Sequence, residues 1–165
     1  AMEGLCMITL YHGPNVNIDS IDLSNGHKGK DFGKGFYLSE NIEQATAMAK
    51  LVTARIGDGV PTLNVFMFDD TVLGESTLKV KIFTSYSEEW AQFVLLNRQN
   101  KTDEQVHEYD IVYGPIADDR VGYQIHNLMK GLRTMDEFVQ ALQYIHPTFQ
   151  YFFGTERAIA YLKKV

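Results

Sequence analysis

His12 and Gly13 stand together directly after an apolar run, Met7-Ile8-Thr9-Leu10-Tyr11. Further on, Phe32-Gly33-Lys34-Gly35-Phe36-Tyr37 sets two glycines ahead of an aromatic pair. An imidazole can donate or accept a hydrogen bond. A glycine admits a close approach where a Cβ would intrude. A tyrosine offers an electron-rich face to a cation. Each residue also has a plainer reading. A histidine near a strand end is commonly structural, Tyr37 is one of 9 tyrosines, and Gly33 and Gly35 can serve a bulge or turn. The joint occurrence of His12-Gly13 with the Gly-Lys-Gly-Phe-Tyr run favours a functional role.

Other motifs fail on their own chemistry. In the run Gly29 to Gly35, Gly35 follows Lys34 where a phosphate-binding loop needs Ser or Thr. Gly33 and Gly35 are followed by Leu38 where a dinucleotide fingerprint needs its third glycine. The histidines at 12, 27, 107, 126 and 146 lack metal-ligand spacing. Asp118-Asp119 is a carboxylate pair, but neighbours on a helix do not face the same way. No metal is expected.

The elements that must position these residues follow from pattern. Met7–Tyr11 and Gly35–Leu38 read as short strands, with a polar loop, Asn15 to Lys34, between them. Loops of that length in a compact domain are commonly functional or mobile. Asn41 with Gln44 three residues on predicts a capping box. Ile42, Ala45, Ala49, Val52 and Ile56 form its inward face, and Gly57 closes it. Strands are predicted at 62–69, 78–83, 109–113 and 149–153. Ser85 with Glu88 predicts a helix to Arg98, turning Trp90, Phe93 and Val94 inward. Further helices are predicted over Asp119–Met129, from the Thr134/Glu137 capping box to Ile145, and after Thr155 with Ile159 and Leu162 inward. Mixed strands and helices without regular βαβ alternation imply an α+β fold.

The chain has 165 residues, one domain's length, so residues 1–165 are expected to form a single domain. Lys+Arg 15 against Asp+Glu 21 leaves a net charge of −6, which argues against tight, sequence-independent duplex binding. A local patch of Lys28, Lys30 and Lys34 could still meet a polyanion. One cysteine, Cys6, excludes an internal disulfide framework and a thiolate-built zinc site. No apolar run approaches the ~18 residues of a membrane helix. Residues Ala1 to Cys6 show no signal peptide, and Ala1 reads as a cloning scar before Met2. A cytoplasmic protein without membrane contact is expected.

On His12-Gly13, the run Phe32–Leu38 and the helix that follows, the chain resembles the ADP-ribosyltransferase superfamily, on the side of the poly(ADP-ribose) polymerases and diphtheria-toxin-like enzymes. Over nearly its whole length it resembles an uncharacterised bacterial domain family, including the segments Glu89-Trp90, Phe93-Val94, Asn97-Arg98, Tyr109–Val112 and Gly114–Asp119. The resemblance implies a split α+β fold of two mainly antiparallel sheets with flanking helices. It implies an NAD-dependent mono-ADP-ribosyltransferase that cleaves the nicotinamide–ribose bond, with NAD as substrate and a protein or nucleic acid as acceptor.

By that resemblance the catalytic residues are His12, Tyr37 and Gln150. His12 would hydrogen-bond a ribose hydroxyl, Gly13 would admit the carboxamide, and Tyr37 would stack on the nicotinamide. Gly35 and Phe36 complete the cofactor-binding set. The Asn15–Lys34 loop would cover the NAD. The family's third motif residue is usually Glu. Gln150 carries no charge, which speaks against polymer elongation and for mono-transfer. Glu156 is the fallback, with Glu89 and Asp119 as further substitutes. Ala45 and Met48 replace a Ser and an aromatic that contact nicotinamide in the polymerase branch.

Asn97, Arg98, Asp118 and Asp119 are candidate acceptor-substrate residues. Their plainer roles are a helix end for the first pair and a turn with an N-cap for the second. NAD hydrolysis, or an inactive module that binds a nucleotide or partner on the same fold, is the alternative. A toxin-like role with a neutralising partner protein fits by analogy with small bacterial transferases.

Overall fold

The computed structural model describes residues 7–75 and 77–165. The expectations placed on Ala1 to Cys6 lie outside the described residues. The elements, in chain order, are β1 (Met7–His12), β2 (Phe36–Leu38), α1 (Ile42–Ile56), β3 (Asn64–Asp69), β4 (Val80–Ile82), α2 (Glu88–Arg98), β5 (Ile111–Pro115), α3 (Asp119–Met129), α4 (Met135–Leu142), β6 (Phe149–Phe153), α5 (Glu156–Ile159) and β7 (Leu162–Lys164). The strands form two sheets, one ordered β1-β3-β7 and the other β2-β6-β5-β4. All pairs are antiparallel except β4 with β5. This is the expected α+β fold of two mainly antiparallel sheets with flanking helices. Among the described residues, no helix is long and apolar enough to cross a membrane.

Two apolar clusters hold the sheets in place. Leu10, Phe66 and Phe68 from the first sheet meet Phe36, Leu38, Tyr151 and Phe153 from the second. On the other face of the second sheet, Phe32, Val112 and Phe152 pack against Trp90 and Val94 of α2, Ile125 of α3 and Phe138 of α4. Strand alternation explains the division. On β2, Phe36 and Leu38 point to the sheet–sheet core, and Tyr37 points the other way. The sheets also touch through one bridge, Tyr11 with Ser39.

The caps at Gly57 and Thr134 are as the sequence predicts, and Asp118 caps α3 over its expected span. Asn41 caps α1 by accepting from the Gln44 N–H, but among the described residues no reciprocal bond forms, because the Asn41 N–H goes to the Ser39 hydroxyl. Other expectations need correction: helix α4 ends at Leu142, short of the expected Ile145. Helix α2 starts at Glu88 under Ser87, whose side chain accepts from the Trp90 N–H, not under Ser85. Strand β5 runs through Gly114-Pro115 instead of ending before them, because β6 continues to pair there. Thr155 caps only a short turn of helix, and Leu162 lies in strand β7, paired with Phe68 of β3. The inward face of α1 is narrower than expected. Only Ala45 and Ala49 are buried, while Ile42 is 48% and Ile56 56% exposed.

Candidate functional site

The narrow face of α1 has its cause at Gly13. A Cβ on Gly13 would lie 1.9 Å from the Ala45 carbonyl oxygen and 3.0 Å from the Ala49 nitrogen. The end of β1 therefore runs directly against the α1 backbone, where only alanines fit. The sequence reading reserved the open side of Gly13 for a ligand carboxamide, but α1 fills the space a Cβ would take. Ala45 is buried in that contact, and Met48 sits on the outer part of the helix, 42% exposed.

His12 ends β1 and pairs with Asn64 of β3. Its Nδ1 lies 2.6 Å from the Tyr37 carbonyl oxygen. A carbonyl only accepts, so Nδ1 carries the proton. The ring packs on Phe36, with centroids 4.2 Å apart. Burial holds the imidazole below its ordinary pKa, the Tyr37 carbonyl works against that, and the Lys164 charge adds to the lowering. His12 is thus neutral at pH 7, with Nδ1 as donor and Nε2 as lone-pair acceptor. Nε2 has no hydrogen-bond partner among the described residues.

Lys164 belongs to the same corner. Its ammonium meets Asn17 Oδ1, the Ile18 carbonyl and Asn64 Oδ1. Asn64, itself buried, accepts from the Ile18 N–H at 2.8 Å and donates to the Val16 carbonyl at 3.1 Å. The start of the long loop is therefore fastened to β3 and β7 beside His12.

The far end of that loop is fastened as well. Phe32 is fully buried. The Tyr37 hydroxyl donates to the Gly33 carbonyl at 2.6 Å and accepts from the Phe32 N–H at 3.0 Å. Burial pushes this phenol well above its ordinary pKa, so it stays protonated. His107 reaches the Phe32 carbonyl through Nε2 at 2.6 Å and accepts the Tyr109 N–H on Nδ1. Gln105 brackets Lys34 from both sides of its amide, accepting from its N–H and donating to its carbonyl. Gly33 needs its lack of a side chain, having φ of +106° and Gln105 Oε1 2.4 Å from the site of a Cβ. Gly35 is pressed against the Phe152 ring in the same way.

The acceptor-substrate candidates resolve into separate roles. Arg98 Nε donates to Asp31 Oδ1 at 2.6 Å, tying α2 to the loop. Asn97 is buried. Its Nδ2 donates to the Phe93 carbonyl, and its Oδ1 has no partner among the described residues. Asp118 accepts from the Val121 N–H as the α3 cap. Asp119 lines a cleft of about 450 Å³ between α3 and α4. Lys28 and Lys34 both approach Asp103, which offsets the local basic patch.

The motif residues are divided between two faces of the second sheet. Tyr37 pairs with Phe152, and Gln150 lies two residues along β6, so Tyr37 and Gln150 share a face. The His12 ring packs on Phe36, on the opposite face. The Tyr37 ring lies between Phe32 and Phe152, with centroids 6.3 Å and 5.3 Å away. The side chain of Gln150 makes no hydrogen bond among the described residues. The substitute carboxylates lie elsewhere in the fold. Glu89 pairs with Lys81, Asp119 faces the α3–α4 cleft, and Glu156 is exposed in the first turn of α5.

Sequence reasoning missed two groups. Asp110 is fully buried and accepts from the Thr155 hydroxyl at 2.6 Å, the Lys79 N–H at 2.8 Å and the Arg157 guanidinium. Burial alone would raise this carboxyl, but those donors outweigh it and hold the pKa below the ordinary value. The second group is Glu40 with Tyr113 and Tyr151, gathered from three strands or strand ends. Neither group shows any spacing in sequence. Among the described residues, no three His, Cys, Asp or Glu side chains are grouped so as to hold a metal ion.

A protein-family model described as "Protein of unknown function (DUF3990)" matches residues 8–164. No curated protein and no solved structure matches the chain.

Proposed function

The chain belongs to the DUF3990 family, and we propose that it is an NAD-dependent mono-ADP-ribosyltransferase acting on a macromolecule inside the cell. The observation that carries the reading is the state of His12. Its proton is committed to the Tyr37 carbonyl, burial keeps the ring neutral, and the Nε2 lone pair has no partner among the described residues. Such an atom suits a ribose hydroxyl as its donor. The motif around it, His-Gly followed by Gly-Lys-Gly-Phe-Tyr, is the one the superfamily resemblance rests on.

In the reaction, the nicotinamide–ribose bond breaks and nicotinamide leaves with the electron pair. The ribose passes through an oxocarbenium-like state. The acceptor nucleophile bonds to the same carbon and gives up its proton. His12 would orient the ribose through its hydroxyl. A neutral imidazole serves here better than an imidazolium, which would repel the developing cation. Gln150 lies on the opposite face of the second sheet from the His12 ring, so in this arrangement the two do not hold the same sugar. Stacking of nicotinamide on Tyr37 requires the Phe32–Gly33 segment to move, because that segment holds the tyrosine hydroxyl.

A second reading rests on a specific observation: Tyr37 is packed between two rings, and His12 and Gln150 address different faces. That arrangement favours an inactive module that binds NAD or a nucleotide. Two measurements separate the readings, nicotinamide release with and without cell lysate, and NAD titration by calorimetry. Release that depends on a lysate macromolecule supports the transferase. Release without an acceptor means NAD hydrolysis. Saturable binding with release at the no-enzyme rate means the binding module.

A further inference from the structure

Glu40 follows Ser39, the residue that bridges the two sheets, and it is exposed. It has no ion-pair partner among the described residues. It stands beside the Tyr113 and Tyr151 phenols. Burial pushes Tyr113 up to about 12 and Tyr151 higher still, and the Glu40 charge adds to both. Asp70 contributes a further negative charge at Tyr151. Both phenols therefore stay neutral near pH 7 and hydrogen-bond to the Glu40 carboxylate, which keeps its charge with no cation beside it among the described residues.

The rings next to this carboxylate are ordered. Tyr113 lies between Phe149, stacked at 5.0 Å and 10°, and Tyr151 at 4.6 Å. Phe149 is half-buried and lines a cleft beside Glu40. The cleft, of about 270 Å³, is lined by Glu40, Asn41, Tyr113, Thr148 and Phe149. That is below the ~300 Å³ at which pockets for whole small molecules begin. It suits a side chain.

We propose that this cleft binds a guanidinium carried on a peptide side chain, with Glu40 as counter-charge and the Phe149 ring that lines it as platform. A carboxylate with no cation partner, lining a cleft together with an aromatic ring, selects a cation. A planar guanidinium both stacks on the ring and meets the carboxylate through two N–H groups, which an ammonium cannot do. No basic residue lines the cleft, so the α-carboxylate of a free amino acid would find no counter-charge there and would be repelled by Glu40. That argues for a residue within a peptide chain. Binding is independent of the transferase reading. Only the role of the guanidinium as an anchor for the acceptor protein rests on it.

The test is an NMR titration of ¹⁵N-labelled protein with arginine blocked at both ends, beside blocked lysine, blocked citrulline and free arginine. The expected result is saturable shifts at Glu40, Thr148 and Phe149 with blocked arginine, and far weaker effects from the other three. Glu40→Gln should weaken binding roughly tenfold or more, with melting temperature unchanged. Phe149→Leu should weaken it as well, and His12→Ala should leave it intact. Absence of saturable shifts, or equal binding by citrulline or by Glu40→Gln, would overturn the proposal. Equal binding of blocked lysine would overturn the choice of a planar cation, and tighter binding of free arginine the choice of a peptide. Loss of NAD turnover with these shifts preserved would count against the transferase alone.

Discussion

Substitution of Gly13 by Ala tests the packing that fixes His12. The added Cβ falls 1.9 Å from the Ala45 carbonyl oxygen, 2.9 Å from the Ala45 carbonyl carbon and 3.0 Å from the Ala49 nitrogen. Ordinary contact begins near 3.4 Å, so strand and helix must part by about 1.5 Å. Overpacking of this kind costs about 1–3 kcal/mol, and colliding backbone atoms place this case at about 3 kcal/mol. For a chain of this size, that lowers the melting temperature by roughly 6–12 °C. Thermal unfolding followed by circular dichroism reads the effect. Ala45→Gly should not rescue the variant, because the colliding atom is a backbone oxygen, and a helical glycine costs about 1 kcal/mol more. A melting temperature within a degree of wild type, or rescue by Ala45→Gly, would refute the close approach of β1 and α1.

Asp110→Ala removes the acceptor for Thr155, Lys79 and Arg157, and chemical denaturation should show a loss of about 2–4 kcal/mol. Tyr37→Phe leaves the Phe32 N–H and the Gly33 carbonyl without their partner. It should cost about 1–3 kcal/mol and speed hydrogen exchange at Phe32. Burial lowers the folded-state pKa of both His12 and His107 below the 6.5 of the unfolded chain. The unfolded state then binds protons first, so their contribution is fully present above pH 6.5 and is lost as pH falls through the folded values. Stability measured from pH 7.5 downward should fall in that window, and His107→Gln should flatten the slope. Lys164→Met removes a charge that lowers His12, so the His12 pKa should rise in an NMR titration, and amides at 16–18 should exchange faster.

The parts of the fold legible in sequence are those decided locally. Asn41, Thr134 and Asp118 cap helices through bonds to N–H groups three residues on, which spacing reveals. Strand β7 was not legible, because three residues near the C-terminus take strand form only by pairing with Phe66, Met67 and Phe68. Nor was the exposure of Ile42 and Ile56, which follows from how closely Gly13 approaches α1. Within the candidate site, His12 stood out by its motif. Its tautomer did not, since that depends on a carbonyl 25 residues away. The setting of Tyr37, pinned by its own preceding loop, and the grouping of Glu40 with Tyr113 and Tyr151 are products of strand register. Periodicity within one segment cannot report which strands become neighbours.

The most direct test of the central claim uses NAD labelled on its adenylate, incubated with the protein and cell lysate. Wild-type protein should pass label to a macromolecule while releasing nicotinamide, and His12→Ala, shown to be folded by its melting curve, should lose that transfer. Equal labelling by the wild type and the folded variant would contradict the role assigned to His12.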